Sequence, residues 1–259
     1  MRRPVLRALK TVRALLLAAA VCVILPAAPA QEDRTAQAPP ATVVPADRLK
    51  EQWWKDRHEA KKARVAEGNV DLLLLGDSIM NRWDTTAVSV AEYYYGDRNC
   101  VDLGFGSDRT QHLLWRLDDL PMEKIHPKAA VILIGVNNIS RDRPEDIALG
   151  VKACVDKAAA LYPDMKILLL DIFPVRDHAD PARENIAAVN ARLAEMFNDY
   201  PNLTLMDLSS LWLDENGDIP KDLMDDGVHP TVFGYKLWAA ALEPVIAEML
   251  GDSEKPKME

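Results

Sequence analysis

The twelve residues "LLLLGDSIMNRW", 72–83, decide how this chain is read. Four consecutive leucines are too apolar for a half-exposed strand and fit one buried on both faces. The chain then turns through Gly76-Asp77-Ser78 into a helical pattern. Serine and aspartate cap helices well, which is one reason to find them there. A turn at the end of a buried strand also aims a side chain out of the sheet. That second property makes Ser78 a candidate nucleophile.

Outward from this turn, short apolar runs recur at 70–75, 99–103, 129–134, 166–171 and 203–206. Helical patterns separate them at 109–120, 144–162 and 181–200, and a last one spans 231–250. The alternation predicts a flavodoxin-like, three-layer α/β/α sandwich with about five parallel strands and right-handed crossovers. An earlier helical pattern, 46–67, carries Trp53 and Trp54 among many charges. Both indoles are expected to anchor that helix on the body, with a sugar-stacking platform as the alternative.

Sites in open α/β sheets lie outside the carboxyl ends of the strands. Four segments at that edge carry chemistry: Gly76-Asp77-Ser78, "GFGSDRTQ" (104–111), "GVNN" (135–138) and "DDGVHP" (225–230). A serine hydroxyl attacks well only when a base takes its proton, and His229 is the candidate base. Asp226, three residues before it, can hold the imidazole in one tautomer and stabilise its charged form; Asp225 competes for that role. Acyl transfer develops an oxyanion that needs donors placed in advance. Ser78 N–H, a backbone N–H of the second loop and the Asn137 side-chain amide are candidates. Asp77 reads as a turn cap and Asn138 as a brace for its own loop. Asp108, Arg109 and Thr110 are expected to tie the second loop down, with Arg109 alternatively facing substrate.

These blocks resemble the GDSL or SGNH hydrolase superfamily. "GFGSDRTQHLLWRL", "LIGVNN" and "DDGVHPTVFGY" are similar to the catalytic subunits of the intracellular platelet-activating-factor acetylhydrolase and to related bacterial esterases. The resemblance runs from about residue 70 to 250, with all four blocks in order. It implies Ser78 as nucleophile, His229 as base and Asp226 as its partner. It also implies an oxyanion hole of Ser78 N–H, the backbone N–H at Ser107 and the Asn137 amide. The family carries glycine where this chain has Ser107. Serine keeps the N–H, but a left-handed backbone there costs it about 1 kcal/mol or somewhat more. A working enzyme is expected, with no metal or cofactor.

The remaining histidines compete less well. His58 is expected to be solvated, His112 packed on its helix, and His126 lies at the wrong end of the sheet. His178, in "FPVRDHADP", follows the fourth strand at the correct end but has no obvious acid partner. Trp115 and Trp238 read as core; Trp83 is either core or pocket border.

The chain has 259 residues, 31 Lys+Arg and 40 Asp+Glu. Five of the basic residues precede or open an apolar run, 14–25, that ends near Ala28-Pro29-Ala30. Basic start, short apolar run and small residues form the pattern of a secretory signal peptide, 1–30. The run is shorter than the ~20 residues of a membrane span, so no integral span is expected after cleavage. Residues 31–45, rich in Ala and Pro, read as a flexible tether, and 46–259 as the hydrolase domain. Without residues 1–30 the balance is 26 basic against 40 acidic residues, net −14. That disfavours nucleic acid and anionic membrane surfaces as partners. Cys100 and Cys154 are expected to be separate buried thiols, and no His/Cys cluster suggests zinc.

The expectation is therefore a secreted or periplasmic serine esterase acting on short-acyl, especially acetyl, esters. Acetylated carbohydrate is a reasonable substrate class by analogy, and a homodimer is compatible with the resemblance. A lysophospholipase or thioesterase is the rival within the family, and a catalytically silent binding module the rival outside it. A nucleotide-binding reading is disfavoured because Asp77 stands where a phosphate cradle would be.

Overall fold

A computed structural model describes residues 38–258; the proposed signal peptide and the first part of the proposed tether lie outside them. Five strands form one parallel sheet: β1 (Leu72–Gly76), β2 (Cys100–Gly104), β3 (Ala129–Leu133), β4 (Lys166–Leu170) and β5 (Leu203–Met206). Their spatial order is β2-β1-β3-β4-β5. The order reverses at β1, so the chain leaves β1 and β3 in divergent directions and opens a crevice above their carboxyl ends.

Helices α1 (Gln52–Ala66), α2 (Ser78–Asn81), α3 (Val88–Tyr95), α4 (Thr110–Asp119), α5 (Pro144–Leu161), α6 (Ala182–Phe197), α7 (Ser209–Trp212) and α8 (Val232–Leu250) complete the fold. The strand period of two divides the sheet's side chains between two cores. Leu73, Leu75, Ile132 and Leu169 pack with Leu113 and Leu117 of α4, Val151 of α5 and Val189 of α6. Leu72, Leu74, Val131 and Leu168 pack with Val90 and Tyr94 of α3 and with Trp238 and Leu242 of α8. Both faces of β1 are buried, which is why it can be four leucines long without alternation.

Close approach fixes two glycines at the working edge. A Cβ on Gly76 would lie 2.2 Å from the Leu133 carbonyl oxygen, and one on Gly104 would lie 2.2 Å from the Asn81 amide nitrogen. The turn that carries Ser78 is thus wedged between the ends of β2 and β3.

The tether expected over 31–45 needs correction where the structure describes it. Residues Ala41–Val43 form a 3-10 turn, and Thr42 is fully buried. The Thr42 hydroxyl donates to the Asp146 carbonyl at 2.6 Å, and its own carbonyl accepts from the Thr110 hydroxyl at 2.8 Å. Gly150 makes the room, since a Cβ there would meet Thr42 Cβ at 2.9 Å. A fully buried polar residue that seats two long-range hydrogen bonds is part of the body, whatever its Ala/Pro-rich surroundings. The first helix also starts later than 46, at Gln52. Arg48 is drawn away to the Gly106 carbonyl and the Asp108 carboxylate, so the preceding residues stay non-helical.

Cys100 and Cys154 are both free thiols. Among the described residues no helix is long and apolar enough to cross a membrane, and no group of three or more His, Cys, Asp or Glu is placed to hold a metal ion.

Candidate active site

Ser78 is the first residue of α2, with Asp77 as its cap: Asp77 Oδ1 accepts from Ile79 N–H at 3.0 Å. The Tyr235 hydroxyl donates to the Ile79 carbonyl, tying this short helix to α8. The turn is therefore braced from below, and the Ser78 side chain is left partly exposed.

The third member of the chain of hydrogen bonds comes from far away in sequence. His229 Nε2 lies 2.8 Å from Ser78 Oγ, and His229 Nδ1 lies 2.7 Å from Asp226 Oδ2. The pattern assigns the proton on Nδ1 to the bond with Asp226 and leaves Nε2 to accept from the serine hydroxyl. Asp226 Oδ1 accepts the backbone N–H of Val228 at 2.9 Å and of His229 at 2.7 Å. Gly227, at φ +71°, lets the turn close this tightly. Partial burial opposes ionisation of Asp226. The donors from His229 and Val228 outweigh it and lower its pKa to about 2, so the carboxylate is charged throughout the neutral range. Asp225 makes no such bond to His229; the Asp-x-x-His spacing selects Asp226 because its carboxylate caps its own turn.

Ser107 and Asn137 line one cavity of about 500 Å³ beside the turn. Asn137 Nδ2 donates to the Asp108 carbonyl at 2.9 Å, which joins the β3 loop to the residue after Ser107 and leaves the second amide hydrogen unused by that bond. Ser107 adopts φ +59°, the left-handed region. Among the described residues, no acceptor takes the backbone N–H of Ser78 or Ser107. Unclaimed donors at a helix start and in a tight loop are what an oxyanion site requires. Asn138 turns inward instead: its side chain accepts from Thr110 N–H at 3.1 Å and donates to Asp142 at 2.9 Å.

Asp108 anchors this second loop. Its carboxylate is fully buried and accepts from Arg48 at 2.9 Å, the Trp54 indole at 2.8 Å and Arg116 Nε at 2.9 Å. Arg116 also donates to the carbonyls of Leu103 and Gly76, at 2.8 and 3.1 Å, and lies over the Phe105 ring. One guanidinium thus ties the ends of β1 and β2 to the loop between β2 and α4. Arg48, Trp54, Arg116 and Tyr235 were not among the residues singled out for the site from sequence. Arg116 left a signal: with Leu113, Leu117 and Leu120 it occupies the i, i+3, i+4, i+7 stripe of a core-facing helix, where a charge demands a buried partner.

Several side expectations change. His58 is fully buried rather than solvated, stacked on Trp54 and 2.8 Å from Asp119. Burial lowers its pKa against the raising pull of Asp119. Trp54 packs as expected, but Trp53 is 46% exposed. Trp83 is core, against Tyr95, Tyr235 and Trp238. His178 does have an acid partner, Asp218 at 2.9 Å, though no bond joins it to Ser78.

A parallel sheet in this order, with a serine–histidine–aspartate chain at its switch point, defines the class of α/β serine-type hydrolases. The model of the GDSL-like lipase/acylhydrolase family matches residues 74–237, and the chain belongs to that family. It is 26% identical over 201 residues to platelet-activating factor acetylhydrolase IB subunit alpha1 of Rattus norvegicus, covering 78% of this chain and 85% of that protein. To the alpha2 subunit of Homo sapiens it is 27% identical over 204 residues, covering 79% and 88%. A solved GDSL-like lipase from Bacteroides thetaiotaomicron has the same fold, with a TM-score of 0.61 at 18% identity, covering 74% of this chain and 97% of that one. The protein is accordingly a carboxylic-ester hydrolase of the GDSL type.

Proposed function

We propose that the protein is an exported esterase that removes short acyl groups, acetyl above all, by two-step transfer through Ser78. Ser78 Oγ attacks the acyl carbon while its proton passes to His229 Nε2. Asp226 holds the imidazole and stabilises its positive charge. The N–H groups of Ser78 and Ser107 and the Asn137 amide receive the oxyanion. The tetrahedral intermediate collapses, the C–O bond to the alcohol breaks, and the alcohol leaves with the proton from His229. Water then attacks the acyl-serine by the same route in reverse, releasing the acid and restoring the serine hydroxyl.

The observation that carries this reading is the continuous chain Asp226–His229–Ser78, at 2.7 and 2.8 Å. The acetylhydrolase relatives support the acetyl preference. The adjoining cavity has a mixed wall, with Val136, Ile139, Val175, Ala182, Ile186 and Val228 beside arginine, serine and asparagine, so the acetyl preference rests on the relatives. For acetylated carbohydrate the support is Trp53. Its ring is 46% exposed and stands near Gly106, with the Arg48 guanidinium over one face at 5.1 Å, so a sugar would stack on the other face. Export rests on the basic-apolar-small pattern of residues 1–30.

The test is hydrolysis of p-nitrophenyl esters from acetate to decanoate, beside a Ser78→Ala variant of equal thermal stability. Turnover that peaks at acetate and vanishes in the variant supports the reading. A peak at the long chains replaces it with a lysophospholipase or thioesterase, and background rates throughout replace it with a binding module.

A further inference from the structure

Four arginines line the cavity beside Ser107 and Asn137: Arg48, Arg109, Arg141 and Arg176. Glu51 is the one carboxylate in the lining, so the wall carries a formal charge of +3 within a chain of net charge −9. That concentration runs against the field of the whole protein and is confined to one concavity.

The arginines divide into two kinds. Arg48 is committed to Glu51 and Asp108, and Arg176 to Asp180. Arg109 and Arg141 make no hydrogen bond or ion pair through their guanidinium groups with any described residue. Every other arginine among the described residues has such a partner: Arg57 with Asp84, Arg64 with the Gly68 carbonyl, Arg82 with Asp226, Arg98 with Glu243, Arg116 with Asp108, Arg143 with Asp146, Arg183 with the Val175 carbonyl and Arg192 with Glu145. The two unpartnered forks thus share one cavity. Both are held close to the oxyanion-hole candidates by their backbones. Arg109 follows Asp108 and caps α4, its N–H donating to His112 Nδ1 at 3.0 Å. The Arg141 N–H donates to the Asn138 carbonyl at 2.8 Å, in the loop that carries Asn137.

We propose that Arg109 and Arg141 form a binding site for a compact oxyanion, a carboxylate or a phosphate, carried by the ester substrate. The proposal rests on the esterase reading and names the substrate class within it: anionic esters. A guanidinium stays charged at any working pH and presents a planar fork that meets carboxylate or phosphate oxygens in pairs. An anion seated there places its ester next to the donors of Ser107 and Asn137. The neutral counterpart of the same ester lacks this contact.

The experiment uses the full chain and two matched pairs of esters. One pair carries the charge on the alcohol portion, 4-acetoxybenzoate against its methyl ester. The other carries it on the acyl portion, 4-nitrophenyl hydrogen fumarate, whose trans carboxylate cannot close onto its own ester, against its methyl ester. Each kcat/KM is divided by the rate of hydroxide-catalysed hydrolysis, which removes intrinsic reactivity. The anionic member of one pair is expected to be favoured about tenfold, the scale of one or two charged hydrogen bonds. In the Arg109→Gln/Arg141→Gln double variant the ratio falls to near one, and added NaCl lowers it in the wild type. A ratio near or below one for both pairs, or a preference that survives in the double variant, overturns the proposal.

Calorimetry on Ser78→Ala decides the question without turnover. Saturable binding of 4-hydroxybenzoate or of inorganic phosphate, lost in the Arg109→Gln/Arg141→Gln background, supports the site and identifies which oxyanion it prefers. No binding of either in the millimolar range overturns it. If no ester is hydrolysed at all, the esterase reading fails, and the calorimetric result still stands for or against the anion site.

Discussion

Asp108 and Asp226 both stand at the carboxyl edge of the sheet, and both act on groups around Ser78, but their surroundings are opposite. The Asp108 carboxylate is fully buried, with three side-chain donors from α1, α4 and the segment before α1. Asp226 is 45% exposed and is held mainly by its own turn, with Arg82 as a more distant ion-pair partner at 3.6 Å. The Asp108 side carries Ser107 and Asn137, the proposed oxyanion donors, which would have to stay still. The Asp226 side carries His229, the proposed base, which would take and return a proton. One half of the site is built into the core, and the other is clipped to the surface by local bonds.

This division predicts that the exposed half fails chemically and the buried half fails structurally. Ser78→Ala and His229→Ala are expected to lower kcat by about 10⁴–10⁶-fold with melting temperatures close to wild type. His178→Ala is the matched control. It too removes a histidine paired to an aspartate at this edge, at 2.9 Å from Asp218, but no serine lies on its other nitrogen. Its kcat/KM should stay within about twofold. Loss of activity in His178→Ala would break the comparison, because an Asp–His pair would then matter without a nucleophile in contact.

Asp108→Asn should do the reverse. It leaves Arg116 fully buried without its countercharge, a change that costs about 3–5 kcal/mol. Chemical denaturation reads that loss directly. An Asp108→Asn protein of wild-type stability would mean that water already reaches Arg116.

Asp77 tests the buried half by pH. Burial, with a smaller push from Asp108, raises its pKa to about 7 against the lowering effects of the Ile79 N–H and Arg116. Its second oxygen has no partner among the described residues. A carboxyl whose folded pKa is raised binds a proton in the native state between its unfolded value, 3.8, and about 7, where the unfolded chain has lost it. Stability from this group is therefore greatest below the unfolded pKa. It falls as pH rises across that window, by about 4 kcal/mol as an upper bound, and is flat above it. Asp77→Asn keeps an acceptor for Ile79 N–H and removes the titration. The variant should gain on the wild type from pH 4 to pH 8. A stability difference that does not change with pH would mean the carboxyl titrates normally.

Asn137→Ala joins the two halves. It removes a candidate oxyanion donor and the bond to the Asp108 carbonyl, and a loss of about 10²–10³-fold in kcat is expected. A rise in KM alone would make Asn137 a substrate contact instead.

The sheet and the exposed half of the site were legible in sequence because local patterns carry them. Five apolar runs gave five strands, and Asp-x-x-His gave a turn that caps itself through Asp226. The buried half was not legible, because its partners are far apart in the chain. Asp108 meets Trp54 across 54 residues and Arg48 across 60, and no local period encodes that. The short helix α3 was missed for the opposite reason. Its eight residues, "VSVAEYYY", are too few for a helical period and rich in β-branched and aromatic types; only packing of Val90, Tyr94 and Tyr95 into the core holds them. Thr42 was missed because composition describes solubility, while two hydrogen bonds across the fold at a buried side chain override it.

Ser107 gives the smallest effect and the sharpest question. At φ +59° a serine pays the left-handed penalty that glycine avoids. Ser107→Gly relieves about 1 kcal/mol of native-state strain, and the greater freedom of glycine in the unfolded chain takes back part of it. The net gain in stability should be a few tenths of a kcal/mol up to about 1 kcal/mol. The backbone N–H is unchanged, so kcat/KM for p-nitrophenyl acetate should hold or rise. Ser107 also borders the cavity lined by Arg109 and Arg141, a space where a polar group can meet substrate. If Ser107→Gly gains stability but loses activity, the strain is kept for the hydroxyl, and the rigid half of the site contributes a substrate contact as well as a backbone donor. If both hold or rise, the serine is a tolerated replacement, and the left-handed turn alone sets the position of the N–H.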